Sequence, residues 1–292
     1  MYPIVIRYFD QEKGVQNKLM DFYEDSNETS QKIFENIDNF MLQHDLDTTL
    51  LSAFSADNAS VNYGAHNSVY QKIKDKYSDT KVVKANCNCH VLHNAARNAM
   101  KALTYDVENL IMKVYAEFSN SAKRTRELQA FFEEFEIEYR KVLRHGPTRW
   151  LSLGRAVDRL ILSWPAVSAY FKSLGEAAYH KIIWEFVKQC GDDAGSLSAK
   201  ITLQECYLYF IHYYMNMLKE AILLLQKNTV TATELHPIMK NIKDKVESRL
   251  HDEFYGAKVM RNMKFLRPSE QDQLNKEANE VYRKTLALTL LV

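Results

Sequence analysis

The sequence predicts two regions of different fold class: an α/β core over residues 1–105 and an all-helical region over residues 106–292. In the first region, short β-rich runs alternate with amphipathic helical patterns. An apolar run of strand length lies inside that region, and helical periodicity dominates from Asp106 almost to the end. These observations indicate a small, incomplete mixed sheet with flanking helices, followed by helices alone.

The α/β region opens with a predicted strand pair and a helix. Residues 3–9 are β-rich, and residues 18–23 could form the paired strand, with Gly14 in the connecting turn. A helical pattern then starts at Thr29. Its apolar face would carry Ile33, Phe34, Ile37, Phe40 and Met41.

The rest of this region alternates strands and helices. Residues 50–56 form a continuous apolar run that suits a central buried strand. A helix after Gly64, a short strand over residues 81–85 and a helix over residues 90–103 follow. The pattern therefore places Asp57 just beyond the carboxyl end of a strand.

The second region is predicted to be helical throughout, interrupted only by residues that break helices. The breaks are Gly146-Pro147, Trp164-Pro165, Gly191-Asp192-Asp193, Gly195, His236-Pro237, Gly256 and Pro268. Basic residues in this region, such as Lys123-Arg124, are interleaved with acidic ones. A solvated helix face is the interpretation we favour for them over a track for phosphates.

The composition is that of an ordinary globular protein. With 292 residues, of which 46% are hydrophobic and 26% charged, the chain is long enough to bury a core. The net charge of +1 does not by itself indicate a nucleic-acid binder, although such a protein could still carry a local basic face. No apolar run approaches the roughly 18 to 20 residues of a membrane span, and the four cysteines are too few for a disulfide scaffold. The apolar end of the chain and its uncapped start indicate a fragment.

Asp57 is the first candidate for chemistry. An open sheet binds ligands beyond the carboxyl ends of its strands, and a carboxylate there could coordinate Mg²⁺. The alternative is that Asp57 caps the following turn, a role that Asn58 and Ser60 would fill equally well. One carboxylate cannot by itself form a two-metal site.

The second candidate is the segment Cys87-x-Cys89-His90-x-x-His93. Zinc accepts such a set of ligands in principle, although the spacing matches no standard finger or ribbon. The alternative, which we favour, is that these residues lock a strand-to-helix corner by packing and hydrogen bonds. Cys190 and Cys206 lack a partner motif and are interpreted as core residues.

The third candidate follows Gly146-Pro147. Arg149 could pair with phosphate, and Trp150 could stack on an exposed base. The alternative is an ordinary helix start, with Thr148 as N-cap and Trp150 packed on the core. No Gly-rich phosphate loop, nucleophile elbow or His-Glu-x-x-His helix occurs in the sequence.

The order of these signals resembles the hAT superfamily of DNA transposases and their domesticated descendants. Residues 57–60, Asp-Asn-Ala-Ser, look like the second catalytic aspartate segment of that family. Cys87-x-x-His90 is similar to its C-x-x-H corner, and residues 148–152, Thr-Arg-Trp-Leu-Ser, look like its R-W segment. The opening run over residues 3–10 also resembles a sheet strand of transposon-derived members. The resemblance covers residues 1 to about 165.

This resemblance implies an RNase H-like core interrupted by an all-helical insertion domain, which agrees with the change of pattern near residue 105. Such proteins cut and join DNA in the nucleus with three carboxylates and Mg²⁺ or Mn²⁺, and an intact parent could be a homo-oligomer. Carried over by position, Asp57 would be the second carboxylate and a metal ligand. Arg149 and Trp150 would contact distorted or flipped DNA next to the cleavage site. Cys87 and His90 would support the core or the DNA rather than bind zinc, and Asn58 would be a structural member of the aspartate motif.

The sequence also departs from the family. The first catalytic aspartate belongs on a strand before Pro3, and the last, a glutamate, lies beyond the insertion domain, where the surroundings of Glu270, Glu277 and Glu280 identify none of them. We therefore expect this chain to be catalytically inert, without a metal cofactor of its own, and at most to bind nucleic acid. The alternative is a protein–protein interaction module that has lost its DNA contacts.

Overall fold

The computed structural model describes residues 2–24, 26–146, 150–188, 201–227 and 231–289. In these ranges the strands are β1 Tyr2–Asp10, β2 Gly14–Tyr23, β3 Ala53–Ala56 and β4 Val83–Asn86. The helices are α1 Ser30–Gln43, α2 Ser60–Tyr63, α3 Val69–Lys76, α4 Asn88–Met100, α5 Val107–Ser119, α6 Ala122–Glu134, α7 Trp150–Leu174, α8 Lys181–Val187, α9 Leu203–Leu225, α10 Ala232–His251, α11 Ala257–Asn262 and α12 Pro268–Thr289. The protein is thus mostly helical, with strands confined to its first part.

The chain divides into two compact units. The first contains the described residues up to Asn94 together with those of Ile222–Met239. The second contains Ala95–Ala221 and the described residues from Lys240 onward. All four described strands belong to the first unit.

Strands β1 and β2 form an antiparallel hairpin, as the sequence predicts. Gly14 adopts a φ of 69°, which a glycine tolerates without steric cost. Asp10 Oδ1 accepts hydrogen bonds from the backbone N–H groups of Glu12 and Lys13, both at 2.9 Å, and so closes the turn. A bulge shifts the register between Ile4 and Val5.

Strands β3 and β4 pair in parallel, with Ala53 opposite Val83 and Ala56 opposite Asn86. The predicted strand over residues 50–56 is therefore too long, because Thr48–Leu50 form a 3₁₀ turn. Asp47 caps that turn by accepting a hydrogen bond from the N–H of Thr49 at 2.9 Å. The prediction of a fully buried central strand is also wrong, since no residue of β3 is fully buried. Within the described residues the strands form two separate pairs rather than one sheet.

The core of the first unit lies between β3–β4 and two helices with side-chain caps. Thr29 caps α1 and Ser68 caps α3, each through a hydroxyl that accepts a backbone hydrogen bond. Val69, Ile73 and Val82 are the fully buried residues of this cluster. The partly buried residues packed on them are Ile33, Phe34, Ile37, Leu51, Phe54, Tyr70 and Tyr77.

The region predicted to be helical is helical in its described residues, but two predicted breaks, at Pro165 and at Pro237, are absent because α7 and α10 continue through them. Helix α7 continues through Pro165 to Leu174. Trp164, Val167 and Tyr170 are all buried along this helix, and their burial outweighs the cost of a proline in the helix interior, about 3 kcal/mol. Pro268, in contrast, occupies the first position of α12, where a proline is well suited.

None of the described helices combines the length and the hydropathy that a membrane crossing needs.

Candidate functional site at the ends of β3 and β4

Two of the three sequence motifs meet at one edge of the β3–β4 pair. Because the strands are parallel and Ala56 lies opposite Asn86, their carboxyl ends open on the same side. Asp57 and Asn58 follow the first strand directly, and Cys87 follows the second. The register therefore brings together residues that are about 30 positions apart in the chain.

Asp57 is exposed and closes the turn after β3. Its Oδ1 accepts hydrogen bonds from the backbone N–H of Ala59 at 3.1 Å and from Nδ2 of Asn62 at 2.7 Å. This is the geometry that the capping interpretation predicts. The described residues contain no group of three or more His, Cys, Asp or Glu side chains placed to hold a metal ion. Asp57, with one oxygen already engaged, does not by itself fit a centre with two divalent cations.

Two buried polar atoms near this edge lack a hydrogen-bond partner among the described residues. They are Oδ1 of Asn58 and Nδ1 of His90. Buried polar atoms are paired in the large majority of cases, so an orphaned one calls for an explanation. Both residues belong to motifs that are recognisable in the sequence, but the sequence alone does not show that these two atoms are unpaired.

Tyr63 holds the two strand ends together, and sequence reasoning missed it. Its hydroxyl oxygen accepts a hydrogen bond from the N–H of Ala56 at 2.9 Å. The hydroxyl proton faces two carbonyl oxygens, that of Phe54 at 3.0 Å and that of Ala85 at 3.3 Å. Burial is the main reason why the pKa of Tyr63 is raised. The hydroxyl stays protonated and bridges β3 and β4.

Replacing Tyr63 by phenylalanine is expected to lower the free energy of unfolding by about 1–2 kcal/mol, because the N–H of Ala56 and a strand carbonyl lose a partner. Chemical denaturation followed by circular dichroism measures this loss. Tyr8→Phe, on the exposed hairpin, is the matched control and should change stability by less than about 0.5 kcal/mol. Equal effects for the two variants would contradict the bridging role of Tyr63.

Cys87 immediately precedes α4 and occupies its N-cap position. Its carbonyl oxygen accepts the N–H of Val91 at 3.0 Å. Its pKa is well below that of an ordinary thiol, because the Cys89 thiol donates a hydrogen bond to it, while the imidazole and backbone N–H of His90 favour the thiolate as well. These effects outweigh burial, which acts in the opposite direction. For Cys89, the neighbouring Cys87 and burial both raise the pKa.

The third motif is only partly described. Thr148 and Arg149 lie outside the described residues, and Trp150 begins α7. Five residues further along, Arg155 lines a groove of about 240 Å³ between α7 and α9. The other lining residues are Gly154, Asp158, His212, Met215, Asn216 and Lys219. In this groove Nε2 of His212 lies 3.2 Å from Oδ1 of Asp158.

The basic residues elsewhere in the helical unit fit the interpretation of a solvated face. Arg124 Nη1 lies 2.7 Å from a carboxylate oxygen of Glu117. Lys123 and Glu127 form an exposed i,i+4 pair with 3.9 Å between the charged atoms. Such pairs neutralise the cations locally, which disfavours a continuous phosphate track along α6.

No family model matches the sequence, and no solved structure is significantly similar to the fold.

Proposed function

We propose that this chain derives from a hAT-type transposase, with residues 1–105 forming part of an RNase H-like core. In this proposal it binds DNA in the nucleus and does not cut it. The proposal includes a homo-oligomer only for an intact parent protein, not for this chain. The helices from residue 106 onward would correspond to the insertion domain.

One observation carries the proposal. The aspartate segment at residues 57–60 and the Cys87-x-x-His90 corner, which the family resemblance pairs in sequence order, also meet in space at one strand edge. A hairpin and a helix precede them in the chain.

Catalytic inertness is supported by the chemistry of Asp57. Its Oδ1 is engaged in the turn, and cutting DNA with divalent metal requires several carboxylates around two ions. Purified protein incubated with DNA and Mg²⁺ or Mn²⁺ should therefore leave the DNA intact. Metal-dependent nicking that Asp57→Ala abolishes would overturn this part of the proposal.

The DNA contacts are proposed for the start of α7. Arg149 and Trp150 supply a cation and a large aromatic ring, which suit a phosphate and an unstacked base. Arg155 and Lys219 are exposed beside the groove and add positive charge on the described part of this surface. The contacts would be mainly to the phosphate backbone and only weakly selective for sequence.

A DNA-binding titration at several salt concentrations tests this assignment. Arg149→Ala and Arg155→Ala should each weaken binding and reduce the slope of log K against log salt by about 1. Trp150→Ala should cost about 1–3 kcal/mol through lost base stacking. Lys123→Ala removes an exposed cation from α6 and is the control, expected to leave affinity nearly unchanged.

The alternative, an interaction module without DNA contacts, is favoured by one feature of the hairpin. Val5, Phe9, Leu19 and Phe22 are 52%, 72%, 56% and 53% exposed. Apolar surface of this kind on a soluble protein often marks an interaction site. If Arg149→Ala and Trp150→Ala leave DNA affinity unchanged but lower stability, the alternative replaces the first proposal.

A further inference from the structure

A serine, a histidine and a glutamate from three parts of the second unit form a hydrogen-bonded chain. Nδ1 of His145 lies 2.9 Å from Oγ of Ser152 on α7, and Nε2 of His145 lies 3.0 Å from Oε1 of Glu108 on α5. His145 belongs to the segment that precedes α7 and is buried. Glu108 is 37 positions from His145 in the chain, so the tertiary fold brings these groups together.

The hydrogen-bond partners decide the roles of the two ring nitrogens. An ionised carboxylate only accepts hydrogen bonds, so Nε2 of His145 carries the proton that is donated to Glu108, and Nδ1 accepts from the Ser152 hydroxyl. Nε of Arg97 lies 3.8 Å from Oε2 of Glu108, so a cation faces the other carboxylate oxygen. In the triad of serine proteases Nε2 faces the serine, but either nitrogen of a neutral imidazole can be the base. The order is that of nucleophile, base and orienting carboxylate.

The surroundings of Ser152 suit a nucleophile. Ser152 is half-buried, so part of its surface is open to solvent, whereas the His145 side chain is only 3% exposed. The backbone N–H of Gly146 donates to Oγ of Ser152 at 3.3 Å, which places a donor where negative charge develops during attack on a carbonyl group. The carbonyl oxygen of Gly146 is also 3.3 Å from Oγ, a longer contact than that of the imidazole. The hydroxyl is thus directed to a base that can take its proton.

We propose that Ser152 is a nucleophile for acyl transfer from small esters with a good leaving group, with His145 as general base and Glu108 as a positioning residue. Oγ bonds to the carbonyl carbon while its proton passes to Nδ1 of His145. The carbon–oxygen bond of the ester breaks, and the departing oxygen takes that proton, which leaves an acyl group on Ser152. Water repeats the sequence and releases the acid. The reaction uses neither DNA nor a metal ion, so its failure leaves the proposed function untouched.

Ser168, on the same helix, is a matched internal control. It is also half-buried, but its hydroxyl donates to the carbonyl oxygen of Pro165 at 3.1 Å and not to an imidazole. A serine hydroxyl without an adjacent base is a weak nucleophile. Similar exposure alone would give similar reactivity at the two positions, whereas the proposal requires a large difference.

Labelling of the purified full chain with a fluorophosphonate tests the nucleophile. Attack by Oγ forms an oxygen–phosphorus bond and expels fluoride, and the hydroxyl proton passes to His145. Peptide mass spectrometry should show Ser152 labelled at least about a hundredfold faster than Ser168, which is the lower end of the range for general-base assistance. Unfolding in urea should abolish this preference. Equal labelling of the two serines in the folded chain would overturn the proposal and leave His145 as an anchor for the start of α7.

Substitutions separate the roles of the other two residues. His145→Gln removes the base and should slow labelling of Ser152 about a hundredfold. Glu108→Gln keeps an acceptor for Nε2 but removes the charge, and it should slow labelling by about tenfold or more. Glu108→Asp restores the charge and should recover most of the rate. A role that is only structural predicts no loss for Glu108→Gln, because that residue fills the same space.

An ester tests acyl transfer itself. After incubation with p-nitrophenyl acetate, the acetyl group should be found on Ser152, and Ser152→Ala should slow the release of nitrophenolate. Circular dichroism identifies any variant that fails to fold, and the comparison of Ser152 with Ser168 in the wild-type chain decides the proposal without variants. Unchanged labelling in folded His145→Gln, or acetylation of lysines alone, contradicts the proposal.

Discussion

Phe210→Ala is expected to lower the free energy of unfolding by about 3–5 kcal/mol, the range for a buried phenylalanine whose neighbours collapse only partly into the cavity. Phe210 lies on α9 and is fully buried. Three tyrosine rings surround it, with centroids 6.1 Å away for Tyr214, 6.2 Å for Tyr255 and 5.7 Å for Tyr282. The loss includes both hydrophobic transfer and aromatic contacts.

The tyrosines around this ring are fixed by their own hydroxyl groups, so the cavity cannot close easily. The Tyr282 hydroxyl donates to the carbonyl oxygen of Phe254 at 2.8 Å, and that of Tyr255 donates to Oδ1 of Asn279 at 3.1 Å. The Tyr214 hydroxyl lies 2.6 Å from Oγ1 of Thr285. Moving any of these rings would leave a buried polar group unpaired.

Urea denaturation followed by far-ultraviolet circular dichroism measures the effect of Phe210→Ala. Phe135, which is 43% exposed at the end of α6, supplies the matched control. Phe135→Ala should cost less than about 1 kcal/mol, as is usual for exposed positions. A loss for Phe210→Ala no larger than for Phe135→Ala would contradict the assigned core of the second unit.

Gly256→Ala is expected to lower the free energy of unfolding by about 2–4 kcal/mol, because it combines backbone strain with a steric clash. Gly256 precedes α11 with a φ of 104°. A Cβ there would lie 2.6 Å from Cγ and 2.8 Å from Cβ of Tyr213. These atoms are close to the Tyr213 backbone and cannot move aside as a flexible side-chain tip could.

Gly175 separates the two causes. Its φ of 76° is also in the left-handed region, but a Cβ there would meet nothing within 4 Å. Gly175→Ala should therefore show the backbone cost alone, about 1 kcal/mol. Thermal and urea unfolding of both variants measure the difference. If Gly175→Ala and Gly256→Ala are equally destabilised, the clash with Tyr213 is not the dominant effect.

Local signals explain which parts of the fold were predictable. The Gly14 turn and the Thr29 cap specify their elements through groups only a few residues apart, and both predictions are confirmed. The strand predicted over residues 50–56 is shorter in the structure because Asp47 caps a 3₁₀ turn over Thr48–Leu50. This cap is also a local feature. The break predicted at Pro165 is wrong for the opposite reason. Helix α7 is maintained by the burial of its side chains against residues distant in the chain, which no local pattern shows.

The candidate site shows the same division. Asp57, Cys87 and His90 are recognisable from residue type and spacing, and the structure places them at the strand ends. Tyr63 carried only a weak signal, its position three residues after Ser60, and its role appears only through bonds to both strands. Arg149 lies outside the described residues, so its predicted DNA contact stays a prediction.

The sequence by itself determined the order of the main strands and helices, because caps, turns and periodicity act over a few residues. It also supplied the order of motifs on which the proposed ancestry rests. Only the tertiary structure decided that Cys87 and Asn58 share one edge and that Tyr213 excludes a side chain at residue 256. These facts depend on strand register and helix packing, which bring together residues that no local pattern relates.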